Sequence, residues 1–353
     1  MKKKIRILSI DGGGMRGIIP ATIINYMEQC LAKKFPNTTI KDHFDLIVGT
    51  STGGILTALY ITPDSKDKNK AKFLAKEALD FYVEHGNAIF NQSKKPNWKI
   101  LWGLLNATRY SPTNIEKLLN KQLGDLKMSD ISTPFLITTY NLNSKSSFFF
   151  TNNDDKEKYD FYMKDILRST SAAPTYFPTA KIQNIAKNST QKEMFNIDGG
   201  VFANNPTMCA YAEARKMNFI ERGIDKPTAK DMYIVSIGTG GGDYKISNPD
   251  NSGSWGLKKW AESIPNIMMD ASIDTIHFQM TQIKGTLPED AIGNYFRIDV
   301  PTQKEDPNSN YRTYDKDMAN ASKENIDELI KAANKTLEFH KEDINNIIRE
   351  LTD

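Results

Sequence analysis

Apolar and polar positions along the chain alternate in blocks that predict strands followed by helices. A short apolar run, Ile5 to Ile10, ends at Asp11 and three glycines, which is typical of a buried strand leading into a turn. Apolar positions then recur with helical spacing from Pro20 to Lys33. The same order recurs where Phe44 to Val48 predicts a strand and the residues after Gly49, through about Tyr60, predict a helix. The chain therefore opens with two strand–turn–helix units.

The rest of the chain continues this alternation. Short runs rich in β-branched and aromatic residues predict further strands at Phe135 to Tyr140, Ser147 to Thr151, Met194 to Ile197, Met232 to Ile237 and Tyr295 to Ile298. Helical periodicity predicts helices at Lys70 to Glu84, Asn114 to Gln122, Pro206 to Met217, Trp260 to Met280, Ala321 to Glu338 and Lys341 to Leu351. Such alternation favours a three-layer α/β/α fold, in which helices cover both faces of a mainly parallel central sheet.

Composition and charge narrow the class of protein. The chain has 353 residues, a net charge of +3 and 39% hydrophobic residues, which is ordinary for a globular protein and too weakly basic to indicate a nucleic-acid partner. Because the sequence shows no repeat or linker, we expect a single domain over residues 1–353. Its catalytic core would span about 5–242, and a C-terminal portion of helices and a strand, about 255–351, would pack on it.

Targeting signals are not evident in the sequence. No stretch approaches the roughly 18 apolar residues that a membrane-spanning helix requires, and the apolar run after the N-terminal lysines is too short for a signal peptide. Cys30 and Cys209 lie in helical patterns, which favours free thiols over a disulfide framework. A cytoplasmic protein with no more than peripheral membrane contact is therefore expected.

The sharpest local motif is Gly49-Thr50-Ser51-Thr52-Gly53, between a predicted strand and a predicted helix. This is the context of a nucleophile elbow, in which small flanking residues allow a turn tight enough to raise the Ser51 hydroxyl above the sheet. The N-terminus of the following helix would favour the negative charge that develops in acyl transfer. Taken alone, a G-x-S-x-G string is equally compatible with an ordinary glycine turn.

A second glycine-rich segment, Asp11 to Gly17, also follows a strand. Consecutive glycines let backbone N–H groups point into one small space, as an oxyanion hole or a phosphate site requires. Gly12, Gly14 and Gly17 also satisfy the dinucleotide pattern G-x-G-x-x-G, which calls for an acidic residue at the end of the second strand. That strand ends instead in Val48-Gly49-Thr50-Ser51, so the dinucleotide interpretation lacks its acid.

A serine nucleophile needs a base, and no histidine is well placed to be one. The four histidines, His43, His85, His277 and His340, lie before a strand, at a helix end or among polar helical neighbours. Asp198 follows a predicted strand and precedes two glycines, which puts it at the carboxyl end of the strand, where active sites of parallel sheets lie. With an ordinary pKa, near 4, it would be a weak base, so catalysis would depend on close positioning, exclusion of water and a strong oxyanion hole.

Taken in order, these three segments make the sequence resemble the patatin-like phospholipases. The family's D-G-G-G-x-R-G, G-x-S-x-G and D-G-G motifs correspond to Asp11 to Gly17, Gly49 to Gly53 and Asp198 to Gly200. The likeness continues through Val83 to Gly86, Tyr110 to Pro112, Ala172 to Pro178 and Ser236 to Gly240. It covers nearly the whole chain, and three ordered motifs are far more specific than any one of them.

The resemblance implies a patatin-like fold and a metal-independent serine lipid acyl hydrolase of the phospholipase A type, without a cofactor. Its substrates would be fatty-acyl esters of membrane phospholipids or galactolipids. Ser51 would be acylated by the lipid, and Asp198 would act first as its base and then activate water. This is a catalytic dyad in place of a triad, and it agrees with the lack of a suitable histidine.

The resemblance also assigns roles to the glycine-rich loop. The backbone amides of Gly12, Gly13 and Gly14 would form the oxyanion hole, and Arg16 would support the loop or the lipid phosphate. Asp11 would be structural, turning the chain and accepting backbone hydrogen bonds. The implied mechanism uses no metal, and the sequence offers no convincing cluster of metal ligands.

The tryptophans suggest how the protein could meet its lipid. Trp98 and Trp102 lie within Lys94 to Leu105, and Trp255 and Trp260 lie around two lysines. Tryptophan beside lysine is typical of a membrane interface, although rings covering the edge of the core would give the same pattern. We expect a membrane lipid as partner, reached by peripheral contact. The sequence leaves open the oligomeric state and any need for a small-molecule or protein activator.

Two other classes of function stay open at this point. A non-catalytic lipid-binding or storage protein would bind lipid without turnover, although Ser51 and Asp198 are both present. A nucleotide-binding protein that uses Gly12 to Gly17 would bind phosphate or dinucleotide and would not depend on Ser51.

Overall fold

The computed structural model of the protein describes residues 4–90, 108–154, 156–241, 256–291, 293–307 and 310–352. The strands of these residues are β1 (Ile5–Ile10), β2 (Leu46–Thr50), β3 (Phe135–Asn141), β4 (Ser146–Thr151), β5 (Ala180–Gln183), β6 (Glu193–Asp198), β7 (Met232–Ile237) and β8 (Tyr295–Ile298). Their α-helices are α1 (Ile18–Lys34), α2 (Thr52–Ile61), α3 (Ala75–Ile89), α4 (Thr113–Leu123), α5 (Met163–Thr170), α6 (Gly200–Ala203), α7 (Thr207–Ala214), α8 (Leu257–Gly285), α9 (Lys323–Phe339) and α10 (Lys341–Thr352).

One sheet contains all of these strands, in the order β5-β6-β3-β2-β1-β7-β8, with β4 also paired to β3. Strands β3, β2, β1, β7 and β8 run parallel to one another. The antiparallel pairs all lie at the β3 end of the sheet. There β4 and β6 pair with opposite edges of β3, and β5 pairs with β6. The prediction of a mainly parallel sheet is confirmed.

Helices cover both faces of the sheet because its central strands are buried on both sides. Ile5 and Ile7 of β1 belong to an apolar cluster shared with α7 and α8, whereas Leu8 and Ile10 belong to a second cluster shared with α1, α2, α3, α9 and α10. Successive side chains of a strand point to opposite faces, so a strand buried on both faces has a nearly continuous apolar sequence. The predicted three-layer α/β/α arrangement is confirmed.

Several observed elements have the predicted bounds or nearly so. Strands β7 and β8 have the predicted bounds, and α1 and α9 differ from prediction by no more than two residues at either end. The sequence pattern does not predict α5, which has 8 residues, or β5, which has 4. Both segments are short and mix apolar with polar residues, so the pattern does not distinguish them from a loop.

The start of α3 shows how local hydrogen bonds override an apolar pattern that predicts a start at Lys70. The Glu77 carboxylate accepts the N–H of Leu74 at 2.8 Å, and Glu28 of α1 accepts the N–H of Ala75 at 2.7 Å. The first turn of a helix leaves such N–H groups without partners inside the helix. These two carboxylates therefore fix the beginning of α3 at Ala75.

The membrane-related predictions meet the structure only in part. No helix of the described ranges is both long enough and apolar enough to cross a bilayer. The interface prediction for Trp98, Trp102 and Trp255 lies outside the described residues, whereas Trp260 lies on α8 with 38% of its surface exposed.

The two cysteines, Cys30 and Cys209, are free thiols, as predicted.

Candidate active site

Ser51 occupies a tight turn between β2 and α2. Its φ of 54° lies in the left-handed region, which costs a residue with a side chain about 1–3 kcal/mol and persists only where the surroundings enforce it. The Ser51 N–H donates a 2.8 Å hydrogen bond to the hydroxyl of Thr170 on α5, and α2 begins at the next residue. The G-x-S-x-G segment is thus a strand–turn–helix elbow that holds its serine in a strained conformation.

The elbow fits against the end of β1 because Gly53 has no side chain. A Cβ atom at Gly53 would lie 2.2 Å from the carbonyl oxygen of Ile10 and 2.7 Å from that of Asp11. Both oxygens belong to the backbone that leads from β1 into the glycine-rich loop. The first turn of α2 and the glycine-rich loop are therefore in direct contact, and two of the sequence motifs come together there.

Asp198 reaches Ser51 because β2 and β6 share one edge of β3. The pairing of β2 ends with Thr50 opposite Thr138, and the pairing of β6 includes Asp198 opposite Thr139, the next residue of β3. β4 occupies the other edge of β3. Since β2 is parallel to β3 and β6 is antiparallel to it, the two strands approach along this edge from opposite directions. Their carboxyl ends meet, and the serine and the aspartate come together.

The direction of β6 corrects one step of the sequence argument. Asp198 does end its strand, but β6 is not a parallel strand, so the rule for carboxyl edges of parallel sheets does not explain how Asp198 arrives. Two hydrogen bonds hold the junction in place. The Asp198 N–H donates to the carbonyl of Ala172 at 3.0 Å, and the Thr50 hydroxyl donates to the carbonyl of Ala203 at 2.6 Å.

The Asp198 carboxyl group is buried, with 4% of the residue exposed. It accepts a 2.7 Å hydrogen bond from the N–H of Gly200 and interacts with the Ser51 hydroxyl. Burial raises the pKa of Asp198 to about 7, and the interactions with Ser51 and Gly200 oppose this rise without cancelling it. Desolvation disfavours the charged form of a carboxyl group. Asp198 is therefore a much stronger base than the ordinary aspartate expected from the sequence.

Hydrogen bonds fix the peptide between Gly12 and Gly13 in the glycine-rich loop. The Gly12 N–H donates to the carbonyl of Asn204 at 2.9 Å, so it is already engaged. The Gly12 carbonyl accepts hydrogen bonds from the Thr239 hydroxyl at 2.7 Å and from the Asn204 amide at 3.3 Å. In a trans peptide the C=O and the N–H point in opposite directions. These two bonds therefore set the direction of the Gly13 N–H.

The following peptide is fixed in the same way. The Gly13 carbonyl accepts the N–H of Arg16 at 3.2 Å and its Nε at 3.4 Å, which sets the direction of the Gly14 N–H. Within the ranges that the structure describes, neither the Gly13 nor the Gly14 N–H donates to a protein acceptor. Arg16 thus contacts the loop itself, and its role in supporting the loop or binding lipid phosphate stays a prediction.

Asp11 lies buried beneath the glycine-rich loop. Its carboxylate accepts two hydrogen bonds from Arg297 of β8, at 3.0 and 2.6 Å, where backbone donors were expected. Burial raises the pKa of Asp11 to about 6, and the charge of Arg297 opposes the rise. The carboxylate is therefore mostly ionised at pH 7 and forms a buried ion pair between the loop and the C-terminal part of the sheet.

The histidines have partners elsewhere in the molecule. Hydrogen bonds join His43 to Thr38, His277 to Tyr295 and His340 to the carbonyl of Asp299, and the ring of His85 packs edge-on against Phe81. None of these contacts involves Ser51 or Asp198. In the described part of the chain, no group of three or more His, Cys, Asp or Glu side chains is arranged to hold a metal ion.

Three residues that shape the site were missed by the sequence analysis. Thr239 follows β7 at the carboxyl edge of the parallel strands, a position that could have marked it. Asn204 follows the D-G-G motif closely, but its bond to Gly12 crosses 192 positions of sequence. Thr170 ends α5, a helix that the pattern does not predict, so no signal pointed to it.

A mainly parallel α/β sheet with a serine at a strand–helix elbow and a buried carboxyl group beside it is the arrangement found in hydrolases of the esterase and lipase type. Residues 8–211 match the family model for the patatin-like phospholipases. Patatin-like protein 2 of Oryza sativa subsp. indica is 34% identical over 349 residues, covering 93% of this chain and 82% of that protein. Patatin-like protein 3 of Arabidopsis thaliana is 33% identical over 322 residues, covering 86% and 75%. The chain therefore belongs to the patatin-like phospholipase family.

Family membership supports lipid acyl hydrolase activity in general terms. A relative from Solanum tuberosum that is 30% identical over 303 residues, covering 83% of this chain and 78% of its own, is named probable inactive patatin-3-Kuras 1. The name of that relative shows that membership by itself does not establish turnover. The solved structure of VipD from Legionella pneumophila covers 94% of this chain and 67% of its own at 12% identity, but its TM-score of 0.35 is too low to support an argument.

Proposed function

We propose that the chain is a lipid acyl hydrolase of the phospholipase A type in which Ser51 and Asp198 form a catalytic dyad. The observation that carries this proposal is the meeting of β2 and β6 on one edge of β3, which puts a strained serine beside a carboxyl group with a pKa of about 7. A general acid–base group works best with a pKa near the operating pH, because it must accept a proton and later return it.

In the first half-reaction, the Ser51 oxygen attacks the acyl carbonyl carbon of the lipid while the Asp198 carboxylate takes the hydroxyl proton. The tetrahedral intermediate carries its negative charge on the former carbonyl oxygen. Its collapse breaks the bond between the acyl carbon and the glycerol oxygen, and Asp198 gives the proton to that oxygen. Lysolipid leaves as an alcohol, and the acyl chain remains as an ester on Ser51.

In the second half-reaction, water takes the place of the lysolipid. Asp198 accepts a proton from the water as its oxygen attacks the acyl carbon. Collapse of the second tetrahedral intermediate breaks the bond to Ser51, and Asp198 returns the proton to the serine oxygen. Free fatty acid leaves, and the dyad regains its starting state.

The N–H groups of Gly13 and Gly14 are the proposed oxyanion donors, because their directions are fixed and no described protein acceptor engages them. Gly12 contributes space in place of a donor, since a Cβ atom there would lie 2.3 Å from Asn204 Oδ1 and 3.2 Å from Ser51 Cβ. Each preorganised donor of this kind stabilises a transition state by about 3–4 kcal/mol.

The proposed substrates are fatty-acyl esters of membrane phospholipids or galactolipids. Support for a lipid substrate comes from the family, whose matching model is that of the patatin-like phospholipases. The half-buried Arg16 lies beside the carbonyl of Gly13, so its cation is near the proposed oxyanion donors. An anionic headgroup bound there would gain from that charge.

Fatty-acid release from vesicles tests the proposal. Phospholipid vesicles and galactolipid vesicles are each incubated with the wild type, with Ser51→Ala, or with Ser65→Ala, a matched control at an exposed serine. Chelator is present throughout. We expect the wild type and Ser65→Ala to release fatty acid and Ser51→Ala to release none, because only that variant lacks the nucleophile. Labelling of Ser51 by a fluorophosphonate probe reports the reactive serine independently of the lipid.

The other outcomes separate the remaining classes of function. Labelling without fatty-acid release would support the serine chemistry and contradict these lipids as sufficient substrates in the absence of an activator. If neither labelling nor release occurs, the proposal is wrong, and lipid binding without turnover would favour a storage or carrier protein. Dinucleotide binding that is unaffected by Ser51→Ala would favour a nucleotide-binding protein.

We also propose that a cytoplasmic form of the protein contacts the membrane through one face of α8. Trp260, Ile264, Met268 and Phe278 are exposed by 38%, 43%, 45% and 63%. Their helical spacing puts them on one side of α8 over about 27 Å. The helix also borders the site, since the Asn204 N–H donates to the Ser272 hydroxyl at 3.1 Å. Docking by this face would bring lipid to the dyad without a spanning helix.

Replacing Ile264, Met268 and Phe278 together with glutamine is expected to weaken vesicle binding by about 10-fold or more, because the apolar area available for insertion is lost. Hydrolysis of a soluble short-chain ester should be unchanged. Ile220→Gln, at a residue exposed by 61% on another segment, is the matched control and should bind vesicles like the wild type. Vesicle co-sedimentation and ester hydrolysis are measured for each protein, and an equal loss of both activities would contradict the proposed contact.

A further inference from the structure

We propose that Arg297 is a positioning residue for the oxyanion hole. The inference rests on the proposed function and goes beyond it, because Arg297 acts through other groups. Its side-chain hydrogen bonds within the described residues go to Asp11, Asp299 and Ser236. Arg297 also lies on β8, far beyond residue 211, where the match to the family model ends.

Arg297 reaches the glycine-rich loop across strand β7. In the sheet, Arg297 lies opposite Ser236 of β7, and Ser236 lies opposite Ser9 of β1. Nη1 of Arg297 donates to the Ser236 hydroxyl at 2.9 Å, and both Nη atoms donate to Asp11. Residues two apart along a strand share a face, so Asp11 continues the face of Ser9. The guanidinium therefore ends beneath the first residue of the loop.

A second carboxylate links Arg297 to the other side of the loop. Nη2 of Arg297 donates to Asp299 at 2.6 Å, and Oδ1 of Asp299 accepts the N–H of Gly240 at 2.8 Å. Asp299 thereby fixes the segment that follows β7. This segment includes Thr239, whose hydroxyl donates to the carbonyl of Gly12.

Both links end at the peptide between Gly12 and Gly13. Asp11 directly precedes this peptide, and Thr239 holds its carbonyl. Because the N–H points opposite to the carbonyl, the two links together set the direction of the Gly13 donor. A misplacement of about 1 Å in a catalytic group can cost about 100-fold in rate. Arg297 can therefore affect catalysis without touching the substrate.

The charged groups of this cluster stabilise one another, and the planar guanidinium lets a single residue bind all of its partners. Burial acts to lower the pKa of Arg297, but Asp11 and Asp299 outweigh it and raise that pKa. Burial acts to raise the pKa of Asp299, but the charges of Arg297 and Arg312 outweigh it and lower that pKa. The planar guanidinium offers five donors and serves two carboxylates and a hydroxyl at once. A lysine keeps the charge but has no such fork.

Arg297→Lys is the first test. The number of competent sites is counted by titration with a fluorophosphonate probe, and turnover of a soluble short-chain ester is expressed per titrated site. We expect turnover per site to fall by about 10- to 100-fold, with KM nearly unchanged because the donor acts in the transition state. Arg222→Lys is the matched control, since Arg222 also pairs with a carboxylate, that of Asp45, but at the opposite end of β2. It should turn over like the wild type.

A second pair of variants applies if Arg297→Lys fails to fold. Thr239→Val removes the donor to the Gly12 carbonyl but keeps the shape of the side chain, and Thr239→Ser keeps the donor. We expect a loss of turnover per site in Thr239→Val of about 10-fold or more, and near wild-type turnover in Thr239→Ser. Wild-type turnover per site in Thr239→Val would overturn the inference.

The remaining outcomes distinguish a failure of the Arg297 inference from a failure of the proposed function. A merely structural role for Arg297 would lower the number of titrated sites or the melting temperature and leave turnover per site at the wild-type value, which would overturn this inference alone. A wild type that neither hydrolyses ester nor reacts with the probe would overturn the proposed function, and this inference with it.

Discussion

Replacing Asp198 with asparagine is expected to lower ester hydrolysis by about 100- to 10,000-fold at pH 8, the factor that a general base typically contributes. Asparagine has nearly the shape of aspartate, and its oxygen can still accept the N–H of Gly200. It cannot take the proton of Ser51. The measurement is kcat/KM on a soluble short-chain ester, so that changes in vesicle binding do not contribute.

The same substitution is expected to raise stability above pH 7. The pKa of Asp198 is about 7 in the native protein, compared with the ordinary 3.8. Above pH 7 the native state holds a buried ionised carboxylate that unfolding returns to water, which costs the native state on the order of 1–4 kcal/mol. As the pH falls from 7 toward 4, the native carboxyl group is protonated before the unfolded one, so the wild type regains this stability. Asparagine stays neutral at every pH.

Thermal unfolding of the wild type and Asp198→Asn between pH 4 and pH 8 tests this sign. The melting temperature of Asp198→Asn should exceed that of the wild type at pH 8, and the difference should shrink toward pH 4. Asp225→Asn changes an exposed aspartate and should show neither the kinetic nor the thermal effect. If Asp198→Asn were the less stable protein at pH 8, the carboxylate would be stabilised by its partners and its pKa would not be raised.

Gly53→Ala is expected to destabilise the protein by about 3 kcal/mol or more and to reduce activity with it. The new Cβ atom would lie 2.2 Å from the carbonyl oxygen of Ile10 and 2.7 Å from that of Asp11. Both oxygens belong to backbone at the end of the central strand, so relief requires moving either the elbow or the glycine-rich loop. Denaturant unfolding measures the loss of stability, and kcat per titrated site measures the loss of activity.

Gly54→Ala is the matched control, one residue further along the same helix. Its Cβ atom would meet methyl groups of Ile137 and Thr170 at 3.0 Å, so relief requires these side chains to move by much less than the backbone at Gly53 would have to. Alanine also favours a helix by about 1 kcal/mol over glycine, which offsets part of the crowding. We expect a much smaller loss of stability than for Gly53→Ala. Equal losses would show that general crowding of α2, and not the contact with β1, makes the elbow glycine necessary.

The sequence could predict the parallel core and the two candidate catalytic residues because both leave short-range signals. The apolar runs of β1, β2, β7 and β8 are bounded by turns, and a short, nearly continuous apolar run is the typical sequence of a buried parallel strand. Ser51 directly follows β2 and Asp198 ends β6, and each has a glycine within two positions, so each could be placed at an edge of the sheet from its neighbours alone. The raised pKa of Asp198 could not be predicted, because it arises from burial by distant segments.

The groups that hold the glycine-rich loop depend on contacts between distant parts of the chain. Arg297 and Asp11 are separated by 286 positions, and an arginine within a strand is ordinarily expected at the surface. The direction of β6 was also beyond the sequence, since nothing in its apolar pattern distinguishes a parallel from an antiparallel neighbour. The engagement of the Gly12 N–H by Asn204 follows from the same kind of distant contact.

Folding decides whether the serine and the carboxylate meet at all, because their separation is set by how β2 and β6 pair along the edge of β3. Strand β2, which ends at Thr50, and strand β6, which ends at Asp198, must each pair with β3 in one register before the two side chains are neighbours. A slip of one residue by β6 would move Asp198 by about 3.3 Å and turn its side chain to the other face of the sheet. A chain trapped with β6 unpaired would keep an intact elbow and have no base. The turnover of a refolded sample would therefore report the fraction of molecules in which β6 has paired correctly with β3.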